Sequence, residues 1–399
     1  MNVLYYLQTF PKISESFILN EIYELEKRGH NIAVFAISQP EEDIQHQEYN
    51  KIDIPVCYAD PLKYTDVINL LSPKVLRPKI LQSAKFKASI KTHFGAFNWS
   101  KQCIEFVDEL DLEVDLIHSH FTTASRFSGR YVASYYNIPF TMTAHAFDLY
   151  NNPNKKQLEH IVNKIDHLVT ISEYNKNYVR KEISEKTPNT VVHAGIRPEK
   201  FESSSSSVDQ RILTVSRFVE KKGLPYAIEA VSKIVDEFSS LQYHIVGSGE
   251  MESEIENQIE ALGISSTVEL LGNVTDERLV AEFDKASCFL LPCIVADSGT
   301  RDGIPVSLME AMAMETPPIS TKVSGIPELI DDRQNGFTVE PKNANELAEA
   351  VSSILGNPEK QGRFGTNGRK KVINEFNIKK EAVKLESVFK QTADQYCDY

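Results

Sequence analysis

Apolar and β-branched residues come in short runs, separated by stretches whose apolar positions recur every three or four residues. Asn2–Gln8 is such a run, and Ser14–Arg28 follows with Phe17, Ile18, Ile22 and Leu25 at helical spacing. Gly29 stops that helix, and Ile32–Ile37 is β-rich. Further strands are expected at Leu116–Phe121, Phe140–Ala146, Leu168–Ser172 and Thr190–Ala194. The pattern then begins again. Ile212–Ser216 reads as a strand and Leu224–Phe238 as a helix, with later strands at Tyr243–Val246, Val268–Leu271, Cys288–Leu291 and Pro318–Ser320. Strands alternating with helices predict parallel, doubly wound sheets. Two such halves predict two Rossmann-like domains facing each other across a cleft, with ligands met beyond the carboxyl ends of the strands.

A run of five serines, Ser203–Ser207, buries no apolar surface and reads as a linker. The expected layout is an N-terminal domain over 1–202, the linker over 203–207, a C-terminal domain over 208–375, and a last helix over 376–399 that packs back on the N-terminal domain. A length of 399 residues suits two domains.

A net charge of -13 disfavours nonspecific nucleic-acid binding. The charge is uneven, however. Val67–Ile104 has no Asp or Glu but carries Lys74, Arg77, Lys79, Lys85, Lys87, Lys91 and Lys101 among apolar and aromatic residues. That composition suits either an anionic membrane surface or a solvated face of packed helices. The five cysteines form no CxxC pair, and the N-terminus lacks a signal-peptide pattern, so a cytoplasmic protein is expected, in reach of the inner face of the plasma membrane through stretch 67–104.

Three segments carry candidate chemistry. In Asp297–Met314, DSGTRDGIPVSLMEAMAM, a polar loop with Gly303 and Pro305 precedes a helical run, a place where free N–H groups and a positive dipole end suit a diphosphate. Asp302 and Glu310 there can accept hydrogen bonds from sugar and ribose hydroxyls; the plainer reading is a helix start capped by Asp302. In SRFVEKKG, Arg217 and Lys222 stand at a strand-to-helix turn where cations could neutralise a leaving phosphate; the plainer reading is a solvated basic loop. Gly247-Ser248-Gly249 follows a strand as a dinucleotide fingerprint would, but Glu252 stands where its third glycine belongs, so it reads as a tight turn. His118 and His120 share one side of a strand and could ligate a metal, yet no Cys or acidic residue stands at a telling spacing and no metal is expected.

These segments, with FPKISESFILNEIYELEKRGH, HIVGSGE and LLGNV in order along the chain, resemble glycosyltransferase family 4 of the GT-B fold, and within it the colanic acid and amylovoran exopolysaccharide type. The resemblance covers nearly the whole chain. It implies a retaining, metal-independent hexosyltransferase that takes a nucleotide-sugar donor and a saccharide or lipid-linked saccharide acceptor, with no cofactor. It matches Arg217 and Lys222 to the family's diphosphate-binding pair and Glu310 to the acid on the ribose. It places Asp302, in place of the commoner Glu, near the donor sugar. Gly303, Ile304 and Pro305 are implied beside sugar and phosphates, Gly247 beside the nucleotide, Asn273 near the base, and His145 of TAHAFD facing the donor sugar. Ser14 and Glu15 stand where relatives carry a glycine-rich loop, and are placed on the acceptor or phosphate side. The competing readings are a GT-B-fold sugar-nucleotide epimerase, which needs no acceptor, and a non-catalytic sugar-nucleotide-binding subunit of a polysaccharide assembly.

Overall fold

A computed structural model describes residues 1–12, 15–40, 47–61, 90–151, 154–202 and 210–397. The chain divides into two compact units, Met1–Ala194 with Ile378–Tyr399, and Gly195–Asn377. The serine run 203–207 lies outside the described residues, as does 62–89, which holds most of the basic stretch.

The first unit is a seven-stranded parallel sheet: β1 (Asn2–Thr9), β2 (Asn31–Ser38), β3 (Val56–Tyr58), β4 (Leu116–His120), β5 (Phe140–Ala144), β6 (His167–Thr170) and β7 (Asn189–Val191). They lie in the order β3-β2-β1-β4-β5-β6-β7. Both faces are covered, so β1 is apolar along its length rather than alternating. Leu4 and Tyr6 enter one core, and Val3, Tyr5 and Leu7 enter the other. The helix Ser16–Lys27 buries Ile18, Leu19, Ile22 and Leu25, and Gly29 ends the segment in the left-handed region. The last helix, Ile378–Cys397, brings Ala382, Leu385, Val388 and Phe389 into that same core. The described end of the basic stretch is the helix Ile90–Glu109. It buries Cys103, Ile104 and Val107 in this unit, with Lys101 paired to Glu105 at 3.4 Å.

The second unit is a six-stranded parallel sheet in the order β10-β9-β8-β11-β12-β13. Its strands are β8 (Arg211–Val215), β9 (Gln242–Val246), β10 (Val268–Gly272), β11 (Cys288–Leu290), β12 (Pro318–Thr321) and β13 (Phe337–Val339). Ile212, Cys288 and Leu290 face one core while Leu213 and Phe289 face the other. The helix expected over Leu224–Phe238 ends at Ser232. Ile234 and Phe238 remain buried in the turns that follow, so the apolar spacing outlasts the helix. The short edge strands β3 and β13 were not foreseen.

In each sheet the strand order reverses beside the first strand, at β1/β4 and at β8/β11. Loops leaving the carboxyl ends there diverge and open a crevice. Arg217 and Lys222 follow β8 and Asp302 follows β11, whereas His145, Gly247 and Asn273 follow β5, β9 and β10.

Candidate functional site

In the second unit the loops after β8 and β11 are locked together. The N–H of Ile294 donates to the Lys221 carbonyl at 2.9 Å, and the N–H of Asp297 donates to Glu220 Oε1 at 2.8 Å. Gly223, at φ 68°, lies so close to the second loop that an added Cβ would stand 2.0 Å from the Pro292 carbonyl oxygen. Across this seam Asp302 meets both lysines, with Oδ1 2.6 Å from Lys221 Nζ and Oδ2 2.6 Å from Lys222 Nζ. Burial alone would disfavour the Asp302 carboxylate, but the Lys222 and Lys221 ammoniums outweigh it and hold the group well below the usual carboxylate range. Burial likewise works against charged Lys222, and Asp302 more than restores it. The Cys293 thiol lies 3.7 Å from Asp302, and burial pushes it up to about 12.

The structure therefore unites Lys222 and Asp302 and adds Lys221, which sequence reasoning missed. The double lysine in EKKG was the available signal, because the short 3-10 turn Glu220–Lys222 turns both side chains to one carboxylate. Arg217 follows β8 and is exposed. Gly303, Ile304 and Pro305 are buried just before the helix Val306–Ala313. Pro305 caps that helix from outside rather than occupying its first turn. Glu310 is pushed up to about 7 by burial and by the Asp276 carboxylate, against the pull of Lys200. Gly247 has φ 126°, and an added Cβ would stand 1.9 Å from the Ser216 carbonyl oxygen. The glycine is thus required for close approach of the β9 and β8 loops. Asn273 braces the same loop, its Nδ2 donating to Ser248 Oγ at 3.2 Å.

In the first unit His145 ends β5 and caps the helix Ala146–Tyr150, its backbone N–H donating to Asp148 Oδ1 at 2.8 Å. The ring is buried between Phe17 and Phe121, with centroids at 4.8 and 4.4 Å. Glu15 pairs with Lys12 at 2.9 Å, while Ser14 lies outside the described residues. Glu21 also went unrecognised. Its carboxylate stands 3.0 Å from His120 Nε2, and the ligand atoms of Glu21, His118 and His120 lie within 4.8 Å of one another. Sequence spacing could not supply this acidic partner, because it comes from a helix packed on the sheet. The His118 ring is already occupied, with Nδ1 2.8 Å from Thr141 Oγ1 and Nε2 3.0 Å from Thr143 Oγ1. Burial drives His118 and His120 down to about 3, so the His120 contact with Glu21 is a hydrogen bond of a neutral ring rather than an ion pair.

The Glycosyltransferase Family 4 model matches residues 14–200, and the Glycosyl transferases group 1 model matches residues 196–371. The amylovoran biosynthesis glycosyltransferase AmsK of Erwinia amylovora is 26% identical, over 94% of this chain and 96% of its own. The putative colanic acid biosynthesis glycosyltransferase WcaL of Salmonella typhimurium is 26% identical over the same shares. Among solved structures, a sucrose-phosphate synthase from Thermosynechococcus elongatus superposes with a TM-score of 0.76 at 17% identity, covering 98% of this chain and 99% of that one. Anabaena HepE, solved with UDP, gives 0.76 at 15% identity, covering 98% and 100%. Two parallel-sheet Rossmann-like units, each matched by its own glycosyltransferase family, give a GT-B fold, and the chain belongs to glycosyltransferase family 4.

Proposed function

We propose that this glycosyltransferase moves a sugar, with retention and without metal, from a nucleotide-sugar donor to a saccharide or lipid-linked saccharide acceptor in exopolysaccharide assembly. The observation that carries the donor reading is the pair Lys221 and Lys222, held on half-buried Asp302 where the second sheet reverses its order. Two ammoniums fixed beside Arg217 and a helix N-terminus suit a departing diphosphate. HepE, solved with UDP and with UDP-glucose, supports a nucleotide-sugar donor, and the amylovoran and colanic acid relatives support the polysaccharide role. In the step we favour, the acceptor oxygen bonds to the anomeric carbon on the face the donor phosphate leaves. The carbon–oxygen bond to phosphate breaks, and a phosphate oxygen takes the acceptor proton. Isolation of a glycosyl-enzyme adduct would sink this same-face step. The Lys–Asp cluster offers charge stabilisation from side chains alone, so EDTA is expected to leave transfer unchanged. Incubation with nucleotide sugars, with and without saccharide acceptor, tests the function. A new glycosidic product supports it, whereas epimerised donor formed without acceptor contradicts it.

Glu310 gives the donor site a pH signature. Its ordinary value is 4.5 and its folded value about 7, so the charged acceptor for ribose hydroxyls is present above neutrality and lost as pH falls through 7. Nucleoside diphosphate affinity is expected to drop by about tenfold or more on that descent, the worth of a hydrogen bond to a charged group. In Glu310→Gln this component of the profile should be missing, as read by titration calorimetry. The stability of the unliganded protein runs the other way. A raised carboxyl contributes stability that is complete below 4.5 and lost as pH rises through about 7. Glu310→Gln should therefore gain thermal stability relative to the parent as pH rises through that window.

A further inference from the structure

A half-buried arginine of the first unit has no carboxylate of its own. Arg126 follows β4, at the end of the sheet where the strand order reverses between β1 and β4. Its Nη1 donates to Thr123 Oγ1 at 3.1 Å, and its guanidinium lies over the Phe121 ring, 4.7 Å from the centroid. Among the described residues it forms no ion pair. The two acids whose charges reach it, Glu15 and Asp148, are engaged elsewhere. Glu15 pairs with Lys12 at 2.9 Å. Asp148 Oδ2 accepts from the N–H of Thr122 at 2.6 Å, and Oδ1 accepts from the N–H of His145 at 2.8 Å. A guanidinium carries five N–H donors and stays charged in a protein. None of the Arg126 nitrogens is sealed from solvent without a partner, so its remaining donors are open to a ligand.

The turn that carries this arginine is strained. Phe121 has φ 67°, in the left-handed region that a bulky aromatic residue rarely adopts. Its backbone is held there from both sides. The Phe121 N–H donates to the Thr143 carbonyl at 2.7 Å, and its carbonyl accepts from the N–H of Thr123 at 2.8 Å. The ring is thereby fixed beside both His145, with centroids 4.4 Å apart, and the guanidinium. Strain of this kind persists only where the surroundings impose it, and it gathers at ligand sites. With Phe121 and Thr123 setting the guanidinium plane, little side-chain freedom is left to lose on binding.

We infer that Arg126 is an oxyanion-binding residue of the first unit, taking a carboxylate or phosphate group of the acceptor in a two-point contact. The planar fork of a guanidinium matches the paired oxygens of either group. Every group involved belongs to the first unit, and the ligand is the acceptor only if the proposed transfer holds. Two sources share this chemistry, an acidic sugar within a saccharide and the diphosphate of a lipid-linked saccharide.

Full-length protein labelled with nitrogen-15 in arginine reports the Arg126 Nε–H signal, assigned with Arg126→Lys. Methyl glucuronide and methyl glucoside form one pair of probes, and farnesyl diphosphate-linked glucose and farnesyl glucoside form the other, all without nucleotide sugar. The charged member of at least one pair should shift the Arg126 signal saturably. It should bind about ten- to a hundredfold more tightly than its neutral counterpart, the worth of a hydrogen bond to a charged group. Response in the first pair assigns an acidic sugar, and response in the second a lipid-linked diphosphate. Arg126→Gln should erase the preference, and Arg126→Lys should keep part of it, since the charge remains without the fork. The melting temperature of Arg126→Gln should stay close to wild type, because no carboxylate is left unpaired. In Lys222→Ala the Arg126 shift should persist; its loss there would move the anion to the lysine seam and overturn the inference. A signal that neither charged probe moves, or a preference that survives Arg126→Gln, also overturns it. The wild-type titration alone decides if Arg126→Gln does not fold. A shifted Arg126 signal in a protein that transfers from no nucleotide sugar would fail the proposed function and leave the oxyanion site standing.

Discussion

Lys222→Ala is expected to lower kcat by about a hundredfold, since one preorganised contact to developing charge is worth ~3 kcal/mol. The side chain is 12% exposed and its ammonium stands 2.6 Å from Asp302, so it is held at one place before any donor arrives. A free lysine would have to be ordered during the reaction, and its contribution would shrink accordingly. The variant leaves Asp302 paired with Lys221, and the carboxylate is not stranded. The fold should therefore survive with a modest fall in melting temperature. Lys221→Ala should show the same sign, because both ammoniums grip one carboxylate. Steady-state rates at saturating donor, beside circular dichroism, separate the loss of chemistry from loss of structure. Full activity in both variants would remove the proposed phosphate site.

Gly223→Ala is expected to give a large stability loss for a single added methyl. Its φ of 68° lies in the left-handed region, and the new Cβ would stand 2.0 Å from the backbone oxygen of Pro292. A non-glycine residue in that region costs about 1–2 kcal/mol, and forcing apart packed backbone adds a comparable amount. The sum, about 3 kcal/mol, corresponds to a fall in melting temperature of roughly 6–12 °C for a unit of this size. The contact joins the loops that carry Lys221, Lys222 and Asp302, so nucleotide affinity should fall with stability. Gly263→Ala is the control. It shares φ 68°, but nothing lies within 4 Å of an added Cβ. It should pay only the conformational cost, and equal losses at the two glycines would mean that the loop seam is unimportant.

The alternation of apolar runs made the two parallel sheets legible, because strands buried on both faces show as unbroken hydrophobic segments such as Val3–Leu7. The edge strands β3 and β13 escaped because each is three residues long and no periodicity accumulates over so short a span. Lys222 and Asp302 were legible as motif residues, but their direct pairing was not. That contact spans 80 positions and depends on the crossover that places β11 beside β8. Glu21 was within a recognised segment yet read as part of an amphipathic helix. Only the packing of that helix over β4 turns its carboxylate to His120. Gly247 was legible as a tight turn after a strand, while its close approach to the Ser216 carbonyl was not.

The Lys221–Lys222–Asp302 seam is proposed to hold the diphosphate of a nucleotide-sugar donor. Titration calorimetry with UDP, GDP and ADP, each beside its own nucleoside, tests it most directly. At least one diphosphate should bind while its nucleoside binds at least tenfold more weakly, and Lys222→Ala should erase most of that difference. If no diphosphate binds, or if the preference survives intact in Lys222→Ala, the seam does not hold the donor phosphates.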